Sequence, residues 1–332
     1  MKRAIVLMML VLLSGFVQAS PITFATDGLS VISEPGAIEK TGSVGGLGIN
    51  IGIGNLSNST GEISSQDWPV IAEVYTATWC ENCLDSEDAV SEISTTREVE
   101  ILHYHREYSE IRDPFGTEVG DDRWIARFGP TNVRATGGLE RLPPTVVFNG
   151  EWLHSGSVAK GSGNLSDDYS LSADIGSTLS LDGLYASLTW TPNGDELNGT
   201  VDWSVSEEIH SRTMKYDIWN DSCSDPDSAS ITPILYVVEE IAQDENGSNG
   251  LEFYPHVIRD IHELPWDSPV NITLPEIWDG EDFRLVLVFD WEMQFISTEC
   301  VEEIPVSGFL PTSGAVSALL IFSLASIVIR KK

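Results

Sequence analysis

The chain has 332 residues, of which 51 are acidic and 18 are Lys or Arg, so its formal net charge is −33 at pH 7. A surface of this sign repels nucleic-acid phosphates and anionic lipid headgroups, which excludes nucleic acid as a partner. The length is sufficient for more than one hydrophobic core.

The first nineteen residues have the pattern of a secretory signal peptide. Lys2 and Arg3 supply the positive region, residues 4–13 the apolar region, and Val17-Gln18-Ala19 the cleavage site. We therefore expect the rest of the chain to be exported, with an uncleaved N-terminal anchor as the alternative.

Residues 20–66 form a segment rich in Gly and Ser. Nine glycines fall between residues 28 and 66, and residues 42–48 read G-S-V-G-G-L-G. Such a composition offers few large apolar side chains to bury. It predicts a flexible lead-in, or at most a loosely paired strand.

A W-C-E-N-C motif occupies residues 79–83, between a strand pattern at 69–75 and a helical pattern at 84–93. Cys80 and Cys83 therefore share the first turn of the predicted helix. The partial positive charge of a helix N-terminus stabilises a thiolate on the first sulfur. The second sulfur is near enough to close a small ring, which is the chemistry of a disulfide-exchanging pair.

A second pattern, R-L-P-P-T-V-V-F-N-G at residues 141–150, reads as a turn, a β-branched strand and a terminating glycine. With the W-C-E-N-C motif it resembles the thioredoxin superfamily over residues 67–160. The resemblance implies an α/β thioredoxin-like domain in which Cys80 is the nucleophile and Cys83 the resolving thiol. It also implies that Pro144 is a cis-proline.

The same resemblance implies a substrate-binding site made of Trp79, Pro144 and Thr145. The implied partners are protein thiols and disulfides and a membrane electron donor, with no cofactor and no metal. One position departs from the family pattern, because the buried acid that many members carry six residues before the first cysteine is here Val74. Glu73 is adjacent, but strand alternation places it on the opposite face. The sequence therefore identifies no proton acceptor for the resolving thiol.

Two histidines follow in the next predicted strand. His103 and His105 are two positions apart and should lie on the same side of that strand. Together with the two cysteines they could complete a zinc set. We instead expect two solvated strand histidines, because the second strand of a thioredoxin fold is usually far from its C-x-x-C motif.

Short alternating runs broken by Gly, Pro, Asn and Asp predict an all-β sandwich domain over residues 165–304. This region contains the remaining cysteines, Cys223 and Cys300. An even number of cysteines in an exported protein favours disulfides. Because Cys80 and Cys83 pair with each other, we expect a structural disulfide between Cys223 and Cys300.

The C-terminal region has an apolar run at residues 308–329, followed by Arg330-Lys331-Lys332. This predicts a single transmembrane helix with a short basic tail, 330–332, on the cytoplasmic side. The body would then lie outside the cell membrane. Small residues open the run, which also resembles C-terminal sorting signals that are removed after export. The alternative is therefore a secreted or lipid-linked product.

Glycosylation is predicted by seven N-x-S/T sequons. All seven lie in the exported region and outside residues 67–160. They are Asn55, Asn58, Asn164, Asn198, Asn220, Asn246 and Asn271.

These patterns predict an extracytoplasmic thiol–disulfide oxidoreductase acting on envelope or secreted proteins. Glu81 lies between the two cysteines, and its negative charge opposes a thiolate on Cys80. This favours a reductase or isomerase over a strong oxidase. The alternative is a non-catalytic cell-surface binding or adhesion module in which Cys80–Cys83 is a structural disulfide.

Overall fold

The computed structural model describes residues 30–34, 37–52, 57–107, 113–161, 163–177, 179, 183–194, 197–206, 209, 229–276 and 282–295. The strands in these ranges are β1 (Ser30–Glu34), β2 (Ala37–Gly52), β3 (Ser59–Ser64), β4 (Val70–Thr76), β5 (Val99–His105), β6 (Thr145–Phe148), β7 (Trp152–Ser155), β8 (Tyr185–Pro192), β9 (Asn198–Val205), β10 (Ala229–Gln243), β11 (Phe253–Glu263), β12 (Val270–Thr273) and β13 (Asp282–Phe295). The helices are α1 (Glu81–Ser94), α2 (Glu118–Thr136) and α3 (Leu165–Ile175).

The described strands form two sheets. The larger has nine strands in the order β1-β2-β13-β10-β11-β5-β4-β6-β7, and the smaller has four in the order β12-β9-β8-β3. Near the C-x-x-C motif, β4 pairs in parallel with β5 and antiparallel with β6. The strand that precedes the motif is therefore hydrogen-bonded on both sides.

The prediction of an α/β thioredoxin-like domain followed by a separate β-sandwich is wrong. The described residues are mostly β, and strands from both predicted domains lie in one sheet. β11 pairs in parallel with β5 at Val257 and His103, and β10 and β13 continue the same sheet. The pairing gives hydrogen-bond partners to the edge of β5 that β4 leaves open. The alternation of residue types along a strand does not show which strand will pair with it.

No helix within the described residues is long and apolar enough to cross a membrane. The predicted signal peptide at residues 1–19, the predicted transmembrane segment at 308–329 and the basic tail lie outside the described residues. So do Cys223 and Cys300, the predicted structural disulfide.

Of the two alternatives for residues 20–66, a flexible lead-in or a loosely paired strand, the part that the structure describes forms paired strands. β2 pairs with β13 from Ile38 to Gly52, and β3 pairs with β8 along its whole length. The glycines of β2 let side chains of β13 lie directly against its backbone, and they do not make the segment flexible. A Cβ at Gly42 would collide with the indole of Trp291, and one at Gly48 with the guanidinium of Arg284.

The large sheet is covered on both faces. One face packs against α1 and α3 near β4 and β6, and against the four-stranded sheet near β13. The opposite face packs against α2, whose Trp124 contacts Tyr75, Tyr104 and the neighbouring ring of Phe128. The C-x-x-C motif thus follows a strand buried between two helical layers.

Charged side chains are buried under α2 as well. Arg123 and Arg127 reach across to Asp290 in β13, with Nη2 of Arg123 lying 2.8 Å and Nη1 of Arg127 lying 3.2 Å from Oδ2 of Asp290. The hydroxyl of Ser43 in β2 donates a hydrogen bond of 2.9 Å to Oδ1 of Asp290. This buried network fixes α2 to the centre of the large sheet.

A buried histidine in β7 makes the folded state sensitive to pH. His154 is 3% exposed, its Nε2 lies 2.7 Å from the hydroxyl oxygen of Ser172, and burial with the nearby charge of Lys160 lowers its pKa to about 4. An unfolded histidine has a pKa of about 6.5. Between these values the unfolded chain binds a proton that the folded chain does not, so stability is lost as the pH falls through this window.

When the pH is lowered from 7 to 5, the free energy of unfolding should decrease in both chains. We expect the decrease to be smaller in His154→Gln than in the natural chain, by about 1–2 kcal/mol. Urea unfolding at the two pH values measures this difference. Comparing the two chains cancels the contributions of the other titratable groups. Identical pH dependences would contradict the assignment of a buried, neutral His154.

Candidate redox site around Cys80 and Cys83

The two cysteines of the motif are joined as a disulfide at the beginning of α1. Their Cα atoms are 5.3 Å apart, which is within the usual range for a disulfide. Cys80 is the N-cap residue of α1 and is 7% exposed, whereas Cys83 lies in the first turn and is 0% exposed. Cys80 is therefore the sulfur nearer to the surface.

The local chain explains this position. β4 ends at Thr76, and the backbone N–H of Cys80 donates to the carbonyl of Ala77 at 3.0 Å, which turns the chain into the helix. No side chain caps the N-terminus of α1. The N-terminus of α1 thus leaves partial positive charge next to Cys80.

The structure brings Trp79 and Pro144 to the same end of the sheet. Trp79 packs with Ala77 and the two cysteines, and the guanidinium carbon of Arg106 lies 5.8 Å from the centre of its ring. The Pro143–Pro144 peptide bond is cis. Because Tyr75 pairs with Thr145, the register places Pro144 beside the end of β4.

The third residue predicted to bind substrate, Thr145, has a buried side chain. It is 0% exposed, and its hydroxyl donates a hydrogen bond of 2.6 Å to the carbonyl of Leu142. The hydroxyl therefore stabilises the turn that precedes β6 and is not presented to a substrate.

A carboxylate outside the predicted site lies in α1, one helical turn after Cys83. Glu87 follows Cys83 by four residues in α1, so both side chains lie on the same face of the helix. The hydroxyl of Thr76 donates a hydrogen bond to Oε1 of Glu87. Burial raises the pKa of Glu87 above its ordinary value. The spacing of four between a cysteine and an acid within a predicted helix could have indicated this residue.

The expectation that His103 and His105 are solvated is wrong. They are 4% and 3% exposed, and Nδ1 of His105 lies 3.1 Å from Oδ1 of Asp113. Burial by itself would raise the pKa of Asp113, but His105 and the backbone N–H groups of Thr78 and Phe115 lower it below its ordinary value.

Asp113 links this histidine to the C-x-x-C loop. Its Oδ2 accepts a hydrogen bond of 2.5 Å from the backbone N–H of Thr78, two residues before Cys80. The other ring nitrogen of His105, Nε2, is buried and has no hydrogen-bond partner within the part of the chain that the structure describes. A titratable pair thus lies directly behind the redox loop.

The connection between β10 and β11 covers this pair from the other side. The backbone N–H of Asn249 donates to the carbonyl of Thr78 at 3.0 Å. The ring of Tyr254 lies 5.9 Å from that of His105. These residues come from the region predicted to be a separate β-domain, so the burial of His105 could not be predicted from the strand pattern around it.

In the described ranges no group of three or more His, Cys, Asp or Glu side chains could hold a metal ion. The buried titratable groups near the disulfide are arranged as hydrogen-bonded pairs instead. The site can therefore support proton transfer next to a sulfur couple.

No family model matches the chain, and no curated protein matches it. Among solved structures, the chain is similar to a structural-genomics protein from Agrobacterium tumefaciens, with 16% identity, a TM-score of 0.34, and coverage of 62% of this chain and 78% of that chain. A superposition this loose does not relate the functions of the two proteins.

Proposed function

We propose that the protein is a thiol–disulfide oxidoreductase that acts outside the cytoplasm on the disulfides of envelope or secreted proteins. The observation that carries the proposal is the Cys80–Cys83 disulfide on the first turn of α1. The helix N-terminus favours a thiolate on Cys80 once the disulfide is reduced. A membrane electron donor that reduces the couple is part of the same proposal.

In the reducing direction, the Cys80 thiolate attacks one sulfur of a substrate disulfide. A mixed disulfide forms, and the other substrate sulfur leaves as a thiolate that takes a proton from water. Cys83 then loses its proton and attacks the sulfur of Cys80, which releases the second substrate sulfur. The dithiol of the protein is oxidised and the substrate disulfide is reduced by the same two electrons.

The charges around the loop favour reduction or isomerisation over strong oxidation. Glu81 is exposed in the first turn of α1, directly after Cys80. Its negative charge raises the energy of a neighbouring thiolate, which lowers the tendency of the couple to accept electrons.

A structural bridge in a non-catalytic binding or adhesion module is the second candidate. The observation that favours it is the burial of both sulfurs, with Cys83 fully enclosed and Asn249 bonded over the loop at Thr78. Buried cysteines in apolar surroundings are usually unreactive. The two candidates predict different redox behaviour.

Equilibration with mixtures of reduced and oxidised glutathione distinguishes them. After trapping of free thiols by alkylation, mass spectrometry gives the fraction of reduced Cys80/Cys83. We expect a reduction potential between about −270 and −120 mV, as in enzymes that exchange disulfides. A potential below about −300 mV, without catalysis of insulin reduction by a dithiol, would assign the pair to a structural bridge.

A further inference from the structure

The proposed exchange requires the sulfur of Cys80 to reach a disulfide on another protein. In the structure Cys80 is only 7% exposed, and the connection between β10 and β11 lies against the loop that leads to it. The backbone N–H of Asn249 in this connection donates a hydrogen bond of 3.0 Å to the carbonyl of Thr78, two residues before Cys80. We call residues 244–252 the lid. What holds the lid in place therefore bears on access to Cys80.

The lid is a compact turn with one buried residue. Asn249 is 6% exposed, whereas the other lid residues are half-buried or exposed. Its side-chain oxygen accepts hydrogen bonds of 2.8 Å from the hydroxyl of Tyr254 and 3.1 Å from the backbone N–H of Leu251. The backbone N–H of Asp244 donates to the carbonyl of Glu252 at 2.9 Å. These bonds join the lid to the beginning of β11, so the two move as one unit.

The hairpin of β10 and β11 meets β5 at a narrow seam. β11 pairs with β5 at one residue pair, Val257 and His103, whereas its pairing with β10 extends from Phe253 to Glu263. Nδ1 of His103 lies 2.7 Å from the carbonyl oxygen of Pro255, to which it donates a hydrogen bond when Nδ1 carries the proton. The side chain of His103 therefore holds the beginning of β11 against β5.

A second histidine lies at the same seam. The ring of His256 is 5.9 Å from that of His103, with an angle of 75° between the ring planes. The φ of His256 is 55°, in the left-handed region that residues with a Cβ rarely adopt. The closed seam thus keeps an unusual backbone conformation and two imidazoles close together.

The closed seam disfavours charge on both imidazoles. Burial, together with the charge of His105, lowers the pKa of His103 to about 3. Burial, together with the charges of His103 and Arg284, lowers the pKa of His256 to about 4. A histidine in water has a pKa of about 6.5. Between these values the opened seam binds protons that the closed seam does not, so the closed state loses stability as the pH falls through this window.

The carboxylates around the seam interact with other cations. The titratable and charged groups that surround the pair are Glu87 in α1, Glu100 and His105 in β5, Asp113 before α2, Glu240 in β10, Tyr254 in β11 and Arg284 in β13. Asp113 is hydrogen-bonded to His105, and Arg284 forms ion pairs with Glu100 at 2.8 Å and with Glu240 at 3.8 Å. His103 and His256 therefore have positive neighbours, whose charge adds to the effect of burial.

We propose that protonation of His103 and His256 releases β11 from β5 and lifts the lid from Thr78, so that acidic surroundings open the redox loop to protein substrates. The two histidines are positioning residues of the closed lid and take no part in the covalent chemistry. This inference concerns the regulation of the exchange proposed above and rests on it for its role, but the opening of the lid is measurable without any exchange.

The size of the effect follows from the proton affinities of the two states. Each histidine favours the opened seam about 20-fold more at pH 5 than at pH 7. Because opening releases both imidazoles, the opened fraction rises by up to about 400-fold between these pH values. Local opening of this kind is distinct from unfolding of the whole chain.

Two measurements on the oxidised full chain follow the opening. Hydrogen exchange, corrected for the intrinsic rate at each pH, gives the protection of the Asn249 N–H that bonds to Thr78. The rate of disulfide reduction by a water-soluble trialkylphosphine, divided by the rate for an unfolded peptide with the same C-x-x-C sequence, gives access to the Cys80–Cys83 bond. Between pH 7 and pH 5 we expect the protection to fall, and the relative reduction rate to rise, by at least about 20-fold.

The double variant His103→Asn, His256→Asn tests the two histidines. Asparagine does not titrate, keeps an N–H donor near the position of Nδ1 of His103, and tolerates the positive φ at position 256. We expect both quantities to change by less than about threefold between pH 7 and pH 5 in this variant.

His262→Asn is the matched control. His262 also lies in β11, but its side chain is 28% exposed and its Nε2 lies 3.3 Å from Oδ2 of Asp260. This variant should therefore keep the full pH dependence of the natural chain.

Several results would overturn the proposal. Protection and relative reduction rate that do not vary with pH in the natural chain would do so, as would an equal pH dependence in the double variant. The amides of β13, which pairs with strands on both sides, report unfolding of the whole chain. If they lose protection by the same factor as Asn249, the lid does not open separately and the proposal is wrong.

A fallback variant and the exchange assay complete the test. Should the double variant fail to fold, His256→Asn alone is expected to reduce the pH-dependent rise by about 20-fold, and an undiminished rise would be equally contradictory. The exchange activity fails independently of the lid. A lid that opens in acid, in a protein whose Cys83→Ala variant forms no adduct at pH 5 or pH 7, would support the inference and contradict the proposed function.

Discussion

Replacing Asp290 with alanine is expected to destabilise the folded protein by about 3–5 kcal/mol, because the change leaves buried positive charge without its partner. Asp290 is 7% exposed and neutralises Arg123 and Arg127, whose side chains are 14% and 13% exposed. Burial would raise the pKa of Asp290, but the two guanidinium groups lower it below its ordinary value. The carboxylate is therefore charged in the folded protein at neutral pH.

Denaturant unfolding at pH 7 measures the loss. Asp174→Ala is the matched control, because Asp174 also pairs with an arginine, Arg97, but its side chain is 65% exposed. An exposed pair contributes about 0–1 kcal/mol. Similar losses in the two variants would show that the network under α2 does not stabilise the fold as its burial implies.

The pH dependence of the Asp290 contribution has a defined sign. A carboxyl group whose folded pKa lies below its unfolded value stabilises the protein above the unfolded pKa of about 3.9. That contribution is lost as the pH falls through the folded pKa. The gap in stability between the natural chain and Asp290→Ala should therefore narrow in acid.

The local structure around the cysteines could be predicted from the sequence. The run of apolar and β-branched residues before Trp79 corresponds to β4, and the helical pattern after Cys83 lies within α1. These elements follow from patterns spanning only a few residues, which is the range over which periodicity and capping act.

The partners of these elements could not be predicted in the same way. Alternation identifies β5 and β11 as strands, but it carries no information that Val257 pairs with His103 across more than 150 positions. The glycine content of β2 predicts conformational freedom, but composition alone does not show which glycines lie against large side chains. In the structure, Gly42 and Gly48 instead make room for large side chains of β13.

In the candidate site, too, local features could be predicted from the sequence and contacts between distant segments could not. The spacing of Cys80 and Cys83 identifies them, whereas the burial of His105 depends on Phe115 in the following loop and on Tyr254 in the distant strand β11. The ring centroids lie 5.3 Å and 5.9 Å from that of His105. The strand pattern alone therefore predicts two solvated histidines, whereas in the structure aromatic rings pack against His105.

The substitution Cys83→Ala is expected to convert the protein into a trap for its substrates. Cys80 retains the helix N-terminus that stabilises its thiolate, so it can still attack a disulfide. Without the resolving sulfur, the mixed disulfide persists instead of breaking down within the reaction. The effect is qualitative, since a transient intermediate becomes the main product.

The most direct test of a redox-active Cys80–Cys83 couple is non-reducing electrophoresis of the full chain carrying Cys83→Ala after incubation with a disulfide-containing protein. Exchange at Cys80 predicts a discrete adduct that disappears on reduction and is absent from the Cys80→Ala, Cys83→Ala double variant. A folded Cys83→Ala protein that forms no adduct would contradict exchange at Cys80 and leave the pair as a structural bridge.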